Sequence, residues 1–571
     1  MQFDVVIVGG GSAGCVLAGR LSTNPHISVA LIEAGPDTPP GSVPEVIADS
    51  YPGLAYFDPR FHWPDLRVFT RSPRGNEGVV KDSKLEQARV MGGGSSINGQ
   101  FAVRGYAEDY DEWQSMGLPS WGYDCMLPYL KRLERDQDFP GGCHGSDGPL
   151  PIRRLFPDQW AGYSRAMSHA MQEAGFPYQP DLNGNELDGI FPLPLVNERD
   201  RRVSTAMAYL DPVARARPNL TILANTEVEA LRWEGRKVVG VTLRRPGGAE
   251  VITAREVVVS AGALHSPALL MRNGVGPAGH LRDKGIEVVA DSPGVGENLM
   301  DHPHISVGTF LAPAARLAAS QRRHIFFGLR YSSGIEGGTP GDMLMMPANR
   351  TGWHPLGMRI GSLGVCVNKS FSRGVVRLAG KDPRTEPVVD INMLSDGRDL
   401  ARLVDAFKRV YRLMESPAVK AMTNGWFLAG YTDEVRALQV RSLSNWFKVI
   451  GAASLIDLSP VTRQWLYRHR FGSDEKLHRM AADEQAIEAW VKSSVWSGWH
   501  VSGTCRMGAD GDRMAVLDSR LRVRGVEGLR VVDASVMPTI VRANTNISTI
   551  AIAEKASDII IEDSRGNGKG N

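Results

Sequence analysis

Three glycines near the start of the chain, Gly9, Gly11 and Gly14, stand at G-x-G-x-x-G spacing directly after the β-branched run Val5-Val6-Ile7-Val8. The first allows a tight turn, the second lets a pyrophosphate approach the backbone, and the third lets a helix pack closely on a strand. Ser12 lies inside this turn, and an Ala- and Leu-rich segment follows it. That segment predicts a helix whose N-terminus offers free N–H groups and a positive dipole end to phosphate. Glu33 closes a second apolar run about 20 residues further on, where a carboxylate can hold a ribose 2′-hydroxyl. An acid at that place argues against a 2′-phosphate and so against NADP. FAD and NAD remain unseparated by this stretch.

Other stretches also carry polar groups in suggestive settings. In ARVMGGGSSINGQFAVRG, residues 88–105, three glycines precede Ser95, Ser96 and Asn98. Close backbone approach beside small hydrogen-bonding groups suits a phosphate or ring contact, or simply a tight turn. VWSGWHVSGTCRMG, residues 495–508, sets His500 among tryptophans. Residues 528–560 run from a short strand into Asp533 and Ala534, then through a proline-containing loop with Asn544 and Asn546 into an apolar helix. A lone histidine is ordinarily structural, and the chain has 13. His302 and His304, in ENLMDHPHIS, are read that way.

Several predicted elements must position these groups. AREVVVSAGALHSPALLMRNGVGP, after residue 253, repeats the strand–glycine–helix theme and reads as a return to the first sheet. LTILANTEVEALRWEGRKVVGVTLRR, residues 220–245, alternates as antiparallel strands do. Residues 36–80, rich in Pro, Gly and aromatics, read as irregular loop lying over something. Helical patterns occupy 107–135, 160–176 and 400–414, and strand-like runs such as GSLGVCVN and RGVVRLAG suggest a second sheet within 311–400. Residues 433–472, aromatic and basic at intervals, read as a helical hairpin packed on the core, with a lid, an oligomer contact or a membrane-surface helix as the alternative.

Composition narrows the class. The 571 residues are 42% hydrophobic and 22% charged, with a net charge of +2. That describes an ordinary globular chain and gives no electrostatic case for nucleic acid. Five scattered cysteines without a C-x-x-C pair favour reduced thiols, a cytoplasmic setting and no zinc site. No apolar run reaches the roughly 18 residues of a membrane span, and no signal peptide is expected, since Met1 runs directly into the first strand. The polar, glycine-rich end from Arg565 onward is expected to be disordered.

The ordered series VGGGSAGCVLAGRL…LIEAG, ARVMGGGSSINGQ, SAGALHSPALLMRNGVGP, GVGENLMDHP, WHVSGTCRMG and VVDASVMPTIVRANTN resembles the glucose–methanol–choline (GMC) oxidoreductases, over nearly the whole chain. FHWPDL, DYDEW, LPYLKRLERDQD, HGSDGPLPIRR and SGWHVSGT bring it nearest to bacterial aryl-alcohol oxidases of the 5-(hydroxymethyl)furfural oxidase kind, apart from residues 433–472. The resemblance implies an α/β fold: a Rossmann-like FAD-binding domain from discontinuous segments, plus a substrate domain with an antiparallel sheet and helices. The expected division is 1–155, 200–310 and 490–565 for the first, 156–199 and 311–489 for the second, and a disordered tail at 566–571. By position, Gly9, Gly11 and Gly14 would hold the pyrophosphate, Glu33 the ribose, and Val228 the adenine through its backbone. Ser96, Asn98, Asp533 and Asn546 would approach the flavin. His500 and Asn544 fall on the family's catalytic pair. Asn273 stands where the family's second signature usually has serine, a position without a catalytic role. Ile97 occupies the place where some members tether the flavin through histidine, so a non-covalent FAD is implied.

The chemistry agrees with those placements. Oxidising an alcohol needs a base for the hydroxyl proton, which an imidazole supplies, and a hydride acceptor, which a flavin supplies. An amide can hydrogen-bond the developing alkoxide without titrating. A substrate pocket is expected at Val367, Trp496 and Trp499, where aromatic walls would favour flat rings. The expected activity is oxidation of a primary, aromatic or furan-type alcohol, with oxygen or another acceptor reoxidising the flavin. The alternatives are a dehydrogenase acting on choline, aliphatic or sugar alcohols, a flavin-containing hydroxynitrile lyase, and a catalytically silent nucleotide-binding protein.

Overall fold

The computed structural model describes residues 1–73, 82–245, 248–459, 461–462 and 474–566. The first strand, Gln2–Val8, is buried from Val5 to Val8. It pairs in parallel with Val29–Ile32 on one side and with Gly248–Val259 on the other. Strands buried on both faces read as continuous apolar runs, which is what Val5–Val8 and Val257–Val259 are. The sheet order is 220–223, 29–32, 2–8, 248–259, 237–245 and 227–234, with Leu529–Val531 added in parallel beside Val257–Val259. The return to the first sheet after residue 253 is therefore real. Residues 220–245 are more mixed than expected: 227–234 and 237–245 are antiparallel, but Leu220–Leu223 joins Val29–Ile32 in parallel. Alternation alone does not report strand direction.

The helix Ser12–Leu21 leaves the glycine turn and packs on the last helix, Thr545–Gly566. A Cβ on Gly14 would collide with the Gly9 carbonyl oxygen, so only glycine lets helix and strand meet this closely. Glu554, buried in the last helix, accepts from Arg20, Arg132 and Tyr209 and ties three segments to it.

A second sheet is wholly antiparallel: 423–428, 303–311, 360–367, 343–348, 327–331 and 189–192, with Trp496–Ser497 paired to Pro303 and His304. Pro303–Leu311 thus belongs to the second sheet, although the sequence division gave residues up to 310 to the first unit. No break in the sequence marks that crossing. The helix Gly397–Met414 backs the strand Ile360–Val367. RGVVRLAG contributes Val375–Arg377 to a separate small sheet rather than to this one.

Residues 36–73 carry short helical turns and one short strand, Arg67–Phe69, which pairs with Val388–Asp390 and Ser83–Lys84. The 433–472 segment supplies two helices, Asp433–Gln439 and Leu443–Leu458, and the second packs through Ile456 on Phe310 and Phe427. Residue 460 and residues 463–472 lie outside the described residues. The tail begins later than expected, since Arg565 and Gly566 still end the last helix. Residues 567–571 lie outside the described residues. Among the described residues no helix is long and apolar enough to cross a membrane.

Candidate active site

A cavity of about 1190 Å³ runs between the two sheets. At one end the glycine turn provides Gly9, Gly11 and Ser12, and Glu33 and Val228 face the same space. Glu33 is 7% exposed and accepts from the N–H groups of Gly10 and Gly35, at 2.8 Å each. Burial pushes its carboxyl pKa up, and those two N–H groups oppose the push. The second glycine turn touches the first: a Cβ on Gly93 would lie 2.6 Å from Gly11 Cα. Gly93, Gly94, Ile97 and Asn98 line the cavity from that turn.

Further along, Asp533, Ala534 and Asn546 line the wall. Asn546 Oδ1 accepts from Ser12 Oγ at 2.7 Å, which joins the start of the last helix to the glycine turn. Asp533 accepts from Gly262 N–H and Ser266 Oγ, at 2.9 and 2.5 Å, and so braces the second strand–glycine–helix unit. Gly14 takes no part in the wall; it acts through helix packing. Ser96 does not line the cavity either. Its hydroxyl is fully buried and donates to the Met91 carbonyl, because the short helix Gly94–Ile97 turns that side chain back into its own loop.

The second sheet forms the floor of the other half. Side chains alternate across a strand, so His304, Ser306, Gly364, Cys366, Leu344 and Met346 face the cavity. Val367 belongs to the opposite phase: it is fully buried in the core, and its neighbours Cys366 and Asn368 line the cavity instead. Placing Val367 on the pocket is therefore corrected by one residue of register.

His500 and Asn544 meet at the junction of the halves. Asn544 Nδ2 lies 2.8 Å from His500 Nε2, and His500 Nδ1 lies 2.8 Å from Nδ1 of His302. With the amide donating to Nε2, that nitrogen presents a lone pair, and Nδ1 carries the proton that His302 accepts. Enclosure lowers the His500 pKa to about 4, so the ring is neutral at pH 7. Asn544 Oδ1 is buried without a partner among the described residues. Trp496 and Trp499 stand beside His500 with Tyr56 and Tyr431. Trp499 meets the Tyr56 ring edge-on at 5.0 Å, and Trp496 stacks on Tyr431 at 4.9 Å.

One buried carboxylate fixes this geometry. Asp301 Oδ1 accepts from the N–H groups of His302 and His500 at 2.7 and 2.9 Å, and Oδ2 accepts from Ser497 Oγ at 2.5 Å. Ser497 Oγ in turn accepts from Trp499 N–H, and Trp499 turns there at a positive φ of 59°. Burial raises the Asp301 pKa to about 6. Reading His302 as merely structural thus missed its contact with His500, and Asp301, Tyr56 and Tyr431 were not singled out at all. The acid directly before the two histidines of ENLMDHPHIS was the available signal for Asp301. Tyr56 and Tyr431 carried no signal beyond the aromatic character of their loops.

The site compares closely with known proteins. Two GMC oxidoreductase family models match residues 3–304 and 370–553. The chain belongs to the GMC oxidoreductase family. It is 38% identical to 5-(hydroxymethyl)furfural oxidase of Methylovorus sp. (strain MP688), over 98% of both chains. It is 31% identical to oxygen-dependent choline dehydrogenase 1 of Chromohalobacter salexigens, over 98% of this chain and 94% of that one. Pyridoxine 4-oxidase from Mesorbium loti superimposes with a TM-score of 0.80 at 27% identity, covering 97% of this chain and 98% of the other. This GMC oxidoreductase is an FAD-dependent alcohol oxidoreductase of α/β fold. The cavity fits the cofactor: two glycine turns in contact leave backbone exposed on the wall, and Glu33 faces the same space.

Asp301→Asn can keep one oxygen on the two N–H groups but turns a donor towards Ser497 Oγ, which loses its acceptor while it braces Trp499 N–H. Flavin reduction by an alcohol is expected to slow roughly tenfold to a hundredfold through misplacement of His500, with the protein still folded and yellow. Activity of the unmodified enzyme should fall first as pH drops through about 6, where Asp301 gains a proton. The Asn variant should lack that step, and a pH profile of kcat/KM measures both outcomes.

Proposed function

We propose that this GMC enzyme oxidises a primary alcohol on an aromatic or furan-type ring to the aldehyde. The observation that carries this reading is the neutral His500 imidazole, its Nε2 held 2.8 Å from Asn544 at the cavity wall beside four aromatic rings. Bound FAD would supply the hydride acceptor, held by Gly9, Gly11, Ser12, Glu33, Asn98, Val228, Asp533, Ala534 and Asn546. The substrate hydroxyl would displace the Asn544 amide from Nε2 of His500, donating its proton to that nitrogen and accepting from Nδ2 of Asn544. His500 takes the hydroxyl proton on Nε2, and its Nδ1–H remains on His302. Asn544 donates to the oxygen as negative charge develops there. Tyr56, Tyr431, Trp496 and Trp499 exclude water and stack on a flat ring. The similarity to 5-(hydroxymethyl)furfural oxidase supports this substrate class, and the similarity to choline dehydrogenase is the reason to test against choline.

Ile97, at the position of the tether, has no nucleophile, so the flavin is held without a covalent bond. The five free cysteines support a reducing, cytoplasm-like compartment. Acid precipitation should leave the yellow colour in the supernatant, and colour retained in the pellet overturns the non-covalent reading.

His500→Ala should slow flavin reduction by roughly 10²–10⁴-fold, the usual worth of a positioned base. Asn544→Ala should cost about 10²–10³-fold. A base must be unprotonated, so activity due to His500 is lost as pH falls through about 4 and not through 6.5. Stopped-flow bleaching of the flavin under anaerobic conditions reads all three, and wild-type bleaching in His500→Ala refutes the assignment. Failure of any alcohol to bleach the flavin would favour lyase chemistry.

Benzyl-type and furan alcohols should exceed glucose, choline and methanol in kcat/KM under one acceptor. Stacking on the aromatic walls adds about 0.5–1.5 kcal/mol beyond area burial. If choline or glucose wins by about tenfold, equivalent to roughly 1.4 kcal/mol, the aryl-alcohol reading falls and the flavoenzyme stands.

A further inference from the structure

We propose that the end of the cavity remote from His500 receives an anionic, carboxylate-type group on the substrate, and that Arg350 is the residue that selects it. The proposal rests on the alcohol-oxidising reading of the His500 end. It makes the preferred substrate elongated, with its anion set well away from the hydroxyl.

The floor of the cavity leads to Arg350. Leu344, Met346 and Ala348 of the strand Met343–Ala348 line the cavity at alternate positions, and Arg350 continues the same alternation just past its end. Leu344 is in register with Cys366, and Cys366 with His304, whose ring packs 4.4 Å from Trp496. Leu344 therefore marks the catalytic end. At ~3.3 Å per residue, Arg350 lies on the order of 20 Å further along the strand direction.

Arg350 is buried, at 5% exposure, with its guanidinium 3.6 Å from the centre of the Tyr51 ring. One amino group donates to the Arg322 carbonyl at 2.6 Å, and Nε has no partner. Among the described residues, no carboxylate lies within ion-pairing distance of it. Asp49, the acid whose charge it feels, is already engaged by both Nε and an amino group of Arg322. A guanidinium carries five N–H donors, and a buried cation without a counter-charge is costly.

Other buried arginines that lack a carboxylate are better satisfied. Arg202 donates to Ile47 O, Ser95 O and Asn98 Oδ1, and Arg330 donates to three carbonyls. Neither lines the cavity, whereas Arg350 does and has one acceptor. His354 adds a donor to the same wall. Its Nδ1 accepts from Gly357 N–H at 3.0 Å, so Nε2 carries the proton, and that N–H is buried with no partner. The acids of the wall are Glu33, Asp65, Glu227, Glu386 and Asp533, and none of them pairs with Arg350: Glu33, Glu227 and Asp533 belong to the first sheet's side, and Glu386 is held by His265 of the helix Gly262–Arg272. An unspent cation, a second free donor and a nearby acid, Asp49, already engaged by Arg322 leave a place that matches a carboxylate in charge and in hydrogen bonding.

The test uses holoenzyme and 4-(hydroxymethyl)phenoxy-alkanoates of increasing tether length, each paired with its neutral carboxamide. In the wild type, one tether length should give an acid with kcat/KM about tenfold to a hundredfold above its amide, the worth of a hydrogen bond to a charged group. Raising the salt should shrink that ratio. In Arg350→Gln the ratio should collapse towards unity through KM, Arg350→Lys should restore part of it, and benzyl alcohol should be turned over unchanged. Acids no better than amides at every length, or an undiminished ratio in Arg350→Gln, overturn the proposal and leave the alcohol-oxidase reading intact. If Arg350→Gln does not fold, the wild-type ratio and its salt dependence decide. If no aryl alcohol is turned over, that reading fails by itself. Calorimetric binding of each acid against its amide, in wild type and Arg350→Gln, needs no reaction and then decides whether Arg350 holds the anion.

Discussion

The site depends on a single buried carboxylate, Asp301, that pairs with no cation among the described residues. Asp301 accepts from His302 N–H, His500 N–H and Ser497 Oγ, and so fastens the start of a floor strand to the turn that carries His500. Those segments are nearly two hundred residues apart in sequence, as the separation of 196 between Ser497 and Asp301 records. A buried ion held by three donors is stable only while all three remain in place. The same bonds therefore set the backbone of the turn, the positive φ of Trp499 and the direction of the His500 ring. His302 then fixes Nδ1 of that ring, which leaves Nε2 for chemistry.

Around this junction the two sheets divide the work. The parallel sheet ends in glycine turns, where exposed backbone and helix N-termini meet phosphate. The antiparallel sheet, with one face to the cavity and the other in the core, offers side chains of alternate phase. Its strands pass from His304, beside the reacting end, to Arg350 at the far end. One sheet thus carries both the floor beside His500 and Arg350, the residue proposed to select substrates by charge. The aromatic cluster comes from three segments, 51–57, 431 and 496–499, and closes over the junction. It links a loop, the connection into a helix and the catalytic turn, so change in any of them alters the entrance.

The sequence by itself determined the glycine turn, the βαβ unit, the return of the chain to the first sheet, the family and the pair His500 and Asn544. These are legible because they rest on local spacing, where a turn or a strand–helix switch needs particular residues at particular places. It did not place Val367, whose core-facing phase follows from strand register, or Ser96, which its short helix turns away from the cavity. It read Leu220–Leu223 as antiparallel, since alternation is blind to direction, and it set a boundary at 310 inside a floor strand. Only the tertiary structure brought Asp301 under two N–H groups, set His302 against His500, gathered the tyrosines and tryptophans, and left Arg350 on the cavity wall with no carboxylate paired to it among the described residues. Each of those depends on which distant segments share a surface, and hydrogen bonds and charge pairing act over a few ångströms of space, whatever the separation along the chain.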